Sequence, residues 1–363
     1  MTEKSPFKLN EKNNPIFITG PCSAETREQV LETAKSLKEQ NTCTYFRSGI
    51  WKPRTRPNSF EGVGEVGLKW LKEVKETYQI PVACEVAMPS HVDLCLKYNI
   101  DLLWIGARTT ASPFAMQEIA NALKGQNIPI LVKNPINAEL SLWLGGIERI
   151  EKAGINQIGA IHRGFSGIEH GVYRNMPMWH VPMELKRLRP DISVICDPSH
   201  ITGKRDLIAK IAQYAMDLNF DGLMIETHPT PQEALSDSAQ QVTPEHLKTI
   251  VNDLIIKNES SHNKSYENQL EFLRAKIDRI DDEIIELIKS RGDISTQIGE
   301  LKRDENVTIF QQGRMEELMR LRKERAKSQG VSTDLIENLF THIHSDSVNI
   351  QAKVLEKESQ ASK

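Results

Sequence analysis

The sequence lacks the features that mark membrane, secreted and nucleic-acid-binding proteins. No apolar run among its 363 residues is long enough to span a bilayer, and its first residues lack the apolar core of a signal peptide. Its five cysteines show no framework spacing, which indicates a reducing cytoplasm instead of a disulfide scaffold. A net charge of -3 argues against a nucleic-acid or anionic-membrane partner. These absences predict a cytoplasmic protein that binds small molecules.

Short apolar runs alternate with amphipathic helical stretches over the predicted first domain, residues 1–256. The runs cover residues 16–19, 43–47, 81–85, 102–105, 130–133, 158–162, 194–196 and 222–226. This alternation implies a parallel sheet, because parallel strands need crossover connections. Eight such units in roughly 250 residues predict a (β/α)8 barrel. A doubly wound open sheet is the alternative, but no GxGxxG motif follows the first run.

The pattern changes after the barrel. Residues 257–266 are polar and without periodicity, which predicts a flexible linker. Apolar residues then recur every three or four positions from Leu270 to Leu301, and two further helical stretches follow at about 312–328 and 333–357. Residues 267–363 are therefore predicted to form an all-α domain of three helices. Since these helices cannot cover the long apolar stripe, a homodimer or higher oligomer is expected.

The active site of a (β/α)8 barrel lies at the carboxyl ends of its strands. The chemically reactive residues of this sequence fall at those ends, in the loop after the second strand, or just beyond the eighth strand. They are Cys22, Arg47, Lys52, Arg54, Glu85, Arg108, Lys133, His162, Arg163, Asp197, His200, Glu226 and Asp237. Any one of them alone is explained as a surface charge, but their shared location predicts an active site.

Two subsets of these residues indicate a chemistry. Cys22, His200, Glu226 and Asp237 offer a thiolate, an imidazole and two carboxylates, which suit a divalent manganese, iron, cobalt or zinc ion. Taken separately, Cys22 is explained as a small buried hydrophobe and His200 as a capping side chain. The second subset is cationic and needs anions to neutralise it, so phosphate and carboxylate ligands are expected. Its members are Arg47, Lys52, Arg54, Arg108, Lys133 and Arg163.

The motifs at the strand ends resemble those of the type I 3-deoxy-D-arabino-heptulosonate 7-phosphate (DAHP) synthases. They are Gly20-Pro21-Cys22, Lys52-Pro53-Arg54-Thr55, Ile105-Gly106-Ala107-Arg108, His162-Arg163-Gly164, Asp197-Pro198-Ser199-His200 and Glu226-Thr227-His228. The resemblance runs from about residue 16 to residue 254 in the family order. It implies a metal-dependent condensation of phosphoenolpyruvate with erythrose 4-phosphate, the reaction that opens the shikimate pathway.

The same resemblance implies a role for each site residue. Cys22, His200, Glu226 and Asp237 would be metal ligands, with manganese the first candidate and cobalt, iron or zinc after it. Arg47, Lys52, Arg108, Lys133 and Arg163 would bind phosphoenolpyruvate, and Arg54 and Thr55 would bind erythrose 4-phosphate. Lys52 would also donate a proton to the new alkoxide, and Asp197 would orient or activate a water.

The competing barrel enzyme is the related octulosonate 8-phosphate synthase, which uses arabinose 5-phosphate. Enzymes of that kind carry a Lys-Ala-Asn-Arg-Ser motif after the second strand. This sequence instead has Lys52-Pro53-Arg54-Thr55 there. The loop therefore favours erythrose 4-phosphate as the second substrate.

The helical domain carries polar residues beside its apolar stripes. They are Arg274, Arg291, Lys302, Arg314, Ser347 and Gln351. The simpler explanation of the cations among them is that their apolar stems lie along the helix surface while their charged ends stay in water. However, their spacing over about residues 270–353 resembles that of the all-α chorismate mutases, which rearrange chorismate to prephenate as intertwined dimers. The resemblance implies that Arg274 completes the pocket of the partner subunit.

The rearrangement needs a compact substrate and cations at the ether oxygen, where negative charge grows. By the resemblance, Arg274, Arg291 and Arg314 would clamp the carboxylates with help from Ser347. Lys302 and Gln351 would face the ether oxygen. Met315 stands where many relatives have a glutamate that contacts the substrate hydroxyl. The alternative is therefore an active DAHP synthase whose helical domain is mainly a dimerising allosteric sensor of prephenate or chorismate.

Overall fold

A computed structural model describes residues 14–52, 59–167, 172–258 and 260–361 of the chain. The chain divides into two compact units, Met1–Glu259 and Ser260–Lys363. Among the described residues, no helix combines the length and the apolarity needed to cross a membrane.

The first unit is a closed barrel of eight parallel strands in sequential order, which confirms the predicted fold. The strands are β1 (Ile16–Gly20), β2 (Tyr45–Ser48), β3 (Val82–Val86), β4 (Leu102–Ile105), β5 (Ile130–Lys133), β6 (Ile158–His162), β7 (Ser193–Cys196) and β8 (Gly222–Glu226). The barrel closes where β1 pairs with β8, from Ile16 beside Gly222 to Gly20 beside Glu226. This register brings the loop after β1 next to the end of β8.

Helices connect the strands and surround the barrel. They are α1 (Arg27–Glu39), α2 (Glu65–Tyr78), α3 (Pro89–Lys97), α4 (Ala107–Thr110), α5 (Pro113–Leu123), α6 (Leu140–Lys152), α7 (His180–Leu188), α8 (Pro198–Thr202), α9 (Ile208–Asp217) and α10 (Pro244–Asp253). Several begin at a side chain that accepts a hydrogen bond from a free backbone N–H, as Thr26 does from Gln29. Ser112 caps α5 in the same way, before a proline at the first helical turn.

The core of the barrel unit has two layers, because successive side chains of a strand point to opposite faces. In β4, Leu102 and Trp104 pack inside the barrel, whereas Leu103 and Ile105 pack against the surrounding helices. All four side chains are fully buried. This burial on both faces explains why the strands appear in the sequence as continuous apolar runs.

Asp101 ties three segments together at the face of the barrel where the strands begin. Its Oδ2 accepts a hydrogen bond of 2.9 Å from the backbone N–H of Val82, and its Oδ1 accepts one of 2.7 Å from Lys75 Nζ. The same Nζ donates to the carbonyl of Asn99 at 2.8 Å, and Asn99 adopts the left-handed conformation after α3. These four residues are called the β3–β4 clamp.

A second set of residues repeats this arrangement four strands further on. Asp221 Oδ2 accepts hydrogen bonds from the backbone N–H of Val194 at 2.7 Å and from Lys186 Nζ at 3.0 Å. Lys186 Nζ also donates to the carbonyl of Asn219 at 2.6 Å, and Asn219 is again left-handed. These residues are called the β7–β8 clamp.

We expect Asp101→Ala and Asp221→Ala each to lower the free energy of unfolding of the barrel unit by about 1–2 kcal/mol, because each leaves a strand N–H and a lysine without their shared acceptor. All five tryptophans lie in the barrel unit, so urea denaturation followed by tryptophan fluorescence reports on that unit. Asp253→Ala, at an exposed position at the end of α10, is the matched control. Equal stability of all three variants would contradict a role for the clamps.

The second unit consists of three helices, as predicted. They are α11 (Lys264–Asp304), α12 (Gln312–Ser328) and α13 (Thr333–Ala361). Asn263 caps α11 by accepting hydrogen bonds from the N–H groups of Ser265 and Tyr266. Both α11 and α12 pack against α13. A large part of the α11 apolar stripe stays exposed, with exposed fractions of 58% at Ile277 and 69% at Leu287.

Candidate active sites

The barrel unit brings three of the four predicted metal ligands together at the carboxyl ends of its strands. The sulfur of Cys22 and one carboxylate oxygen each of Glu226 and Asp237 all lie within 4.8 Å of one another. Cys22 follows β1, Glu226 ends β8, and Asp237 lies in the loop beyond. Just before Cys22, Gly20 allows β1 to lie close to the backbone of β2: its φ is +141°, and a Cβ at that position would lie 2.2 Å from the carbonyl oxygen of Arg47.

His200, the fourth predicted ligand, lies at the edge of this cluster. Its Nε2 is 3.8 Å from Glu226 Oε1, and its Nδ1 is 2.9 Å from Asp197 Oδ2. Asp197 caps α8 by accepting a hydrogen bond from the backbone N–H of His200. The cap therefore orients the imidazole between two buried carboxylates.

The cluster fits a divalent metal ion. Its donors are a thiol and two carboxylates with an imidazole beside them, a mixture that suits first-row divalent ions. Glu226 Oε1 is buried and accepts no hydrogen bond from the described residues, although Arg47 Nη1 lies 3.3 Å away. Burial raises the pKa of the Cys22 thiol to about 12. A metal that binds there must displace the thiol proton.

Lys52 contacts the cluster directly. Its Nζ lies 3.0 Å from Cys22 Sγ and donates a 2.9 Å hydrogen bond to the carbonyl of Cys22. Burial works to lower the pKa of Lys52, but the thiolate form of Cys22 and the carboxylate of Glu226 outweigh it and raise the pKa above its ordinary value. The side chain is therefore a cation at the edge of the cluster. Its predicted neighbours Arg54 and Thr55 lie outside the described residues.

Arg47 is buried inside the barrel, near the carboxyl end of β2. Its Nη2 donates a 3.1 Å hydrogen bond to the carbonyl of Cys22, and its Nη1 pairs with Glu226. Its guanidinium carbon also lies 5.0 Å from the ring centroid of Trp104. Burial lowers the pKa of Arg47, but Glu226 and Cys22 raise it above its ordinary value, so the guanidinium stays charged.

Lys133 and Asp197 form a second buried ion pair, with 2.8 Å between Nζ and Oδ2. Burial alone would raise the pKa of Asp197, but His200 and Lys133 lower it well below its usual range. Asp197 is therefore an ionised carboxylate. An unpaired charge at this depth would be costly, so each partner depends on the other.

Trp104 is a site residue that the sequence reasoning missed. Its ring lies between Arg47 and Lys133, whose Nζ is 6.0 Å from the ring centroid, and its indole N–H donates to Glu85 Oε2 at 3.0 Å. The ring can stabilise both cations through its π face. The alternation along β4 contained the signal, since it predicts that Leu102 and Trp104 share the face opposite to Ile105.

Arg163 is oriented by two asparagines. Its Nη1 donates to Asn175 Oδ1 at 2.7 Å, and its backbone N–H donates to Asn134 Oδ1 at 2.7 Å. Burial lowers the pKa of Arg163 to about 10, and Arg108 is among the nearby cations that add to this effect. Arg108 is itself exposed, in α4 after the fourth strand.

Arg174 also belongs to the site, and no sequence pattern identified it. Its Nη1 donates to Asp237 Oδ1 at 3.1 Å and to Gln240 Oε1 at 2.6 Å. Burial works to raise the pKa of Asp237, but Arg174 and His200 lower it. Arg174 lies in the loop between β6 and α7, so only the folded chain brings it to the end of β8.

In the helical unit, Arg291 of α11 contacts Ser347 of α13, and two further predicted site residues, Lys302 and Gln351, lie on the same two helices. Arg291 donates hydrogen bonds to the carbonyl of Ile343 and to Ser347 Oγ. Lys302 donates to the carbonyl of Ile309, in the segment between α11 and α12. Gln351 is buried, and its Oε1 has no hydrogen-bond partner among the described residues.

Arg274 and Arg314 are not brought to this cluster. Arg274 has an exposed fraction of 62% and pairs with Glu271, and Arg314 has one of 64% and pairs with Glu317. Arg274 also precedes Arg291 by 17 residues in one continuous helix. At 1.5 Å per residue this separates them by about 25 Å along the axis, so Arg274 does not reach Arg291 within one chain.

Comparisons with known proteins match each unit to a family. A family model described as "DAHP synthetase I family" matches residues 4–262, and one described as "Chorismate mutase type II" matches residues 273–352. A phospho-2-dehydro-3-deoxyheptonate aldolase of Thermotoga maritima is 33% identical over 238 residues, which cover 66% of this chain and 68% of the relative. A 2-dehydro-3-deoxyphosphooctonate aldolase of Campylobacter jejuni is 29% identical over 280 residues, covering 69% and 98%.

Solved structures give the same result for the barrel unit. A crystal structure of the phospho-2-dehydro-3-deoxyheptonate aldolase (DAHP synthase) of Thermotoga maritima matches with a TM-score of 0.59 and 30% identity, covering 66% of this chain and 67% of the other. A truncated form of 3-deoxy-D-arabino-heptulosonate 7-phosphate synthase from Thermotoga maritima matches with a TM-score of 0.58 and 28% identity, covering 66% and 84%.

Proposed function

The chain belongs to the DAHP synthetase I family and carries a chorismate mutase type II domain after it, as its motifs predicted, and from this premise we propose that its barrel condenses phosphoenolpyruvate with erythrose 4-phosphate. The products are DAHP and phosphate, and the reaction depends on a divalent metal ion. The observation that carries the proposal is the convergence of the thiol–carboxylate cluster with buried cations at the carboxyl ends of the strands.

Cationic side chains bind the first substrate, phosphoenolpyruvate. Arg47, Lys133 and Arg163 are each held by a partner within the site, so little reordering is needed before they bind a phosphate or a carboxylate. Arg108 and Lys52 complete the set that faces this substrate. Arg54 and Thr55 hold the phosphate of erythrose 4-phosphate.

Cys22, His200, Glu226 and Asp237 would hold the divalent ion, with manganese the first candidate and cobalt, iron or zinc after it. When bound, the ion supplies Lewis-acid polarisation of the aldehyde. Two observations support this assignment: the four donor groups lie close together, and Oε1 of Glu226 is buried without a hydrogen-bond partner among the described residues.

Two side chains of the barrel donate a proton and orient water during the reaction. C3 of phosphoenolpyruvate forms a bond to the aldehyde carbon, and the former aldehyde oxygen takes a proton from the Lys52 ammonium. Water adds at C2, and the bond between C2 and the phosphate oxygen then breaks, so that C2 becomes a ketone. Of the two protons of the water, one leaves with the phosphate and the other restores the ammonium form of Lys52. Asp197, which is ionised and hydrogen-bonded to Lys133, orients that water.

The experiment that tests the barrel compares two second substrates. Purified protein is assayed with phosphoenolpyruvate plus either erythrose 4-phosphate or arabinose 5-phosphate, before and after exhaustive chelation and with manganese restored. We expect kcat/KM to be at least about 100-fold higher with erythrose 4-phosphate, because the loop after β2 recognises the shorter sugar. Chelation should abolish activity and manganese should restore it. A preference for arabinose 5-phosphate, or activity that survives chelation, would overturn the proposal.

The helical unit is proposed to rearrange chorismate to prephenate. Arg291 and Ser347 bind a carboxylate, while Lys302 and Gln351 face the ether oxygen, where cationic and polar donors stabilise the growing charge. The grouping of these residues on α11 and α13 supports the proposal. Incubation of the protein with chorismate alone tests it. Prephenate formation supports catalysis, whereas tight binding of prephenate without conversion would favour the sensor alternative.

The helical unit is also proposed to form a homodimer in which Arg274 enters the pocket of the partner subunit. The exposed apolar stripe of α11 supports this arrangement, because leaving so many large side chains in water is unfavourable. The stripe includes Leu273, Ile277, Ile280, Ile284, Leu287 and Ile294. Light scattering on the full chain should give a mass of at least twice 41.2 kDa. A monomer across micromolar concentrations would contradict the dimer.

A further inference from the structure

One side of α13 presents a histidine in line with two site residues. His344 precedes Ser347 by three residues and Gln351 by seven, a spacing that places all three on the same face of a helix. Ser347 accepts a hydrogen bond from Arg291, and Gln351 is buried with an unpaired Oε1. His344 therefore extends the polar stripe of the mutase site by one further turn.

The surroundings of His344 are those of a ligand-binding group. Its Nε2 is buried and has no hydrogen-bond partner among the described residues, and its ring centroid lies 6.4 Å from that of Phe310. Burial lowers its pKa below 6.5, and the charges of Arg291 and Lys302 lower it further. A buried polar atom without a partner is costly, and a ligand that hydrogen-bonds to Nε2 would remove this cost.

The charges around His344 indicate the chemistry of that ligand. The charges of Arg291 and Lys302, both on α11, act on its imidazole. Arg322 of α12 and Asp346 of α13 act on Arg291, with opposite effects on its pKa. The balance around the imidazole is cationic, which favours an anionic ligand.

We propose that His344 is a further substrate-contacting residue of the helical unit, and that its Nε2 hydrogen-bonds a carboxylate of chorismate or prephenate. This inference rests on the proposed function of the unit and goes beyond it, since it names a residue that the chorismate mutase motif did not include. The contact also couples ligand binding to a proton. A bound carboxylate favours the imidazolium form, so ligand affinity rises as the pH falls through the pKa of the bound-state histidine.

The test measures prephenate binding to the full chain by titration calorimetry at pH 6 and pH 8. For the wild type, we expect tighter binding at pH 6. His344→Leu should weaken binding at pH 6 by about tenfold, the effect of losing a hydrogen bond to a charged group, and should remove most of the pH dependence. His344→Asn keeps a donor but does not titrate, so it should bind with intermediate affinity that is independent of pH. His342→Leu, at an exposed position of the same helix, is the control and should behave as the wild type.

The outcomes separate this inference from the mutase proposal. If the wild type binds prephenate but does not convert chorismate, the mutase proposal fails while the His344 contact is still tested by its variants. If His344→Leu and His344→Asn, checked for helical content by circular dichroism, bind prephenate with the wild-type affinity and pH dependence, the inference is overturned. It is also overturned if the wild type does not bind prephenate at either pH.

Discussion

Cys22→Ser is expected to reduce the DAHP synthase kcat/KM by about 1000-fold and metal affinity by at least about 100-fold, because it removes the thiolate from the proposed coordination shell. The sulfur lies within 4.8 Å of carboxylate oxygens of Glu226 and Asp237, and it is the only thiol of this cluster. Affinity is measured by competition with a chelator. Loading with cobalt gives an independent readout, since the thiolate-to-metal absorption band should disappear in the variant.

A matched control separates the loss of a ligand from a general sensitivity to cysteine substitution. Cys43→Ser changes a half-buried thiol just before β2, at the opposite end of the barrel, where the sulfur lies 3.8 Å from the carbonyl of Thr19. This variant should retain metal binding and synthase activity within about twofold of the wild type. Equal metal affinity in Cys22→Ser and Cys43→Ser would rule out Cys22 as a ligand.

Arg291→Ala is the second substitution with a large expected effect, a fall of about 1000-fold in mutase kcat/KM with little change in synthase activity. Arg291 donates to Ser347 and to the backbone of α13, so its loss removes a charge that is already oriented toward the pocket. Arg320→Ala is the control, because Arg320 is exposed on α12 and pairs with Glu324 of the same helix. A mutase activity that survives Arg291→Ala would contradict the assigned site.

The same substitution tests whether two chains share a pocket. Arg274→Ala should also inactivate the mutase if Arg274 acts in the partner subunit. When Arg274→Ala and Arg291→Ala proteins are mixed and allowed to exchange, half of the dimers contain one chain of each kind. Each mixed dimer has one complete site, so about one quarter of the wild-type mutase activity should return. No recovery, with exchange confirmed by mass spectrometry, would contradict a pocket shared between two chains.

The barrel was predictable from sequence because its strands are buried on both faces. The predicted runs 102–105, 130–133, 158–162 and 222–226 coincide with β4, β5, β6 and β8, and the other four runs overlap their strands. Strand ends also identified Cys22 and Glu226, since a parallel barrel gathers all such ends at one face. The β1–β8 register then brings these two residues together without further information.

The remaining parts of the sites depend on contacts between segments that are distant in the sequence. Arg174 and Asn175 reach the site from a loop whose path follows no periodic pattern. Trp104 followed a recognisable alternation, but its position between two cations is a property of the assembled barrel. His344 was hidden for a different reason, because a partly exposed histidine on a helix is common and only the unpaired Nε2 distinguishes this one.

The two clamps give the base of the barrel an approximate two-fold symmetry. The β3–β4 and β7–β8 clamps lie four strands apart in a closed barrel of eight, so a half-turn about the barrel axis carries Asp101 onto the position of Asp221. At the opposite face, the thiol–carboxylate cluster occurs once among the described residues. Each four-stranded half therefore ends in its own structural tie, while the reactive groups occur once. The stabilising clamp of this barrel is therefore repeated, whereas its reactive cluster is not.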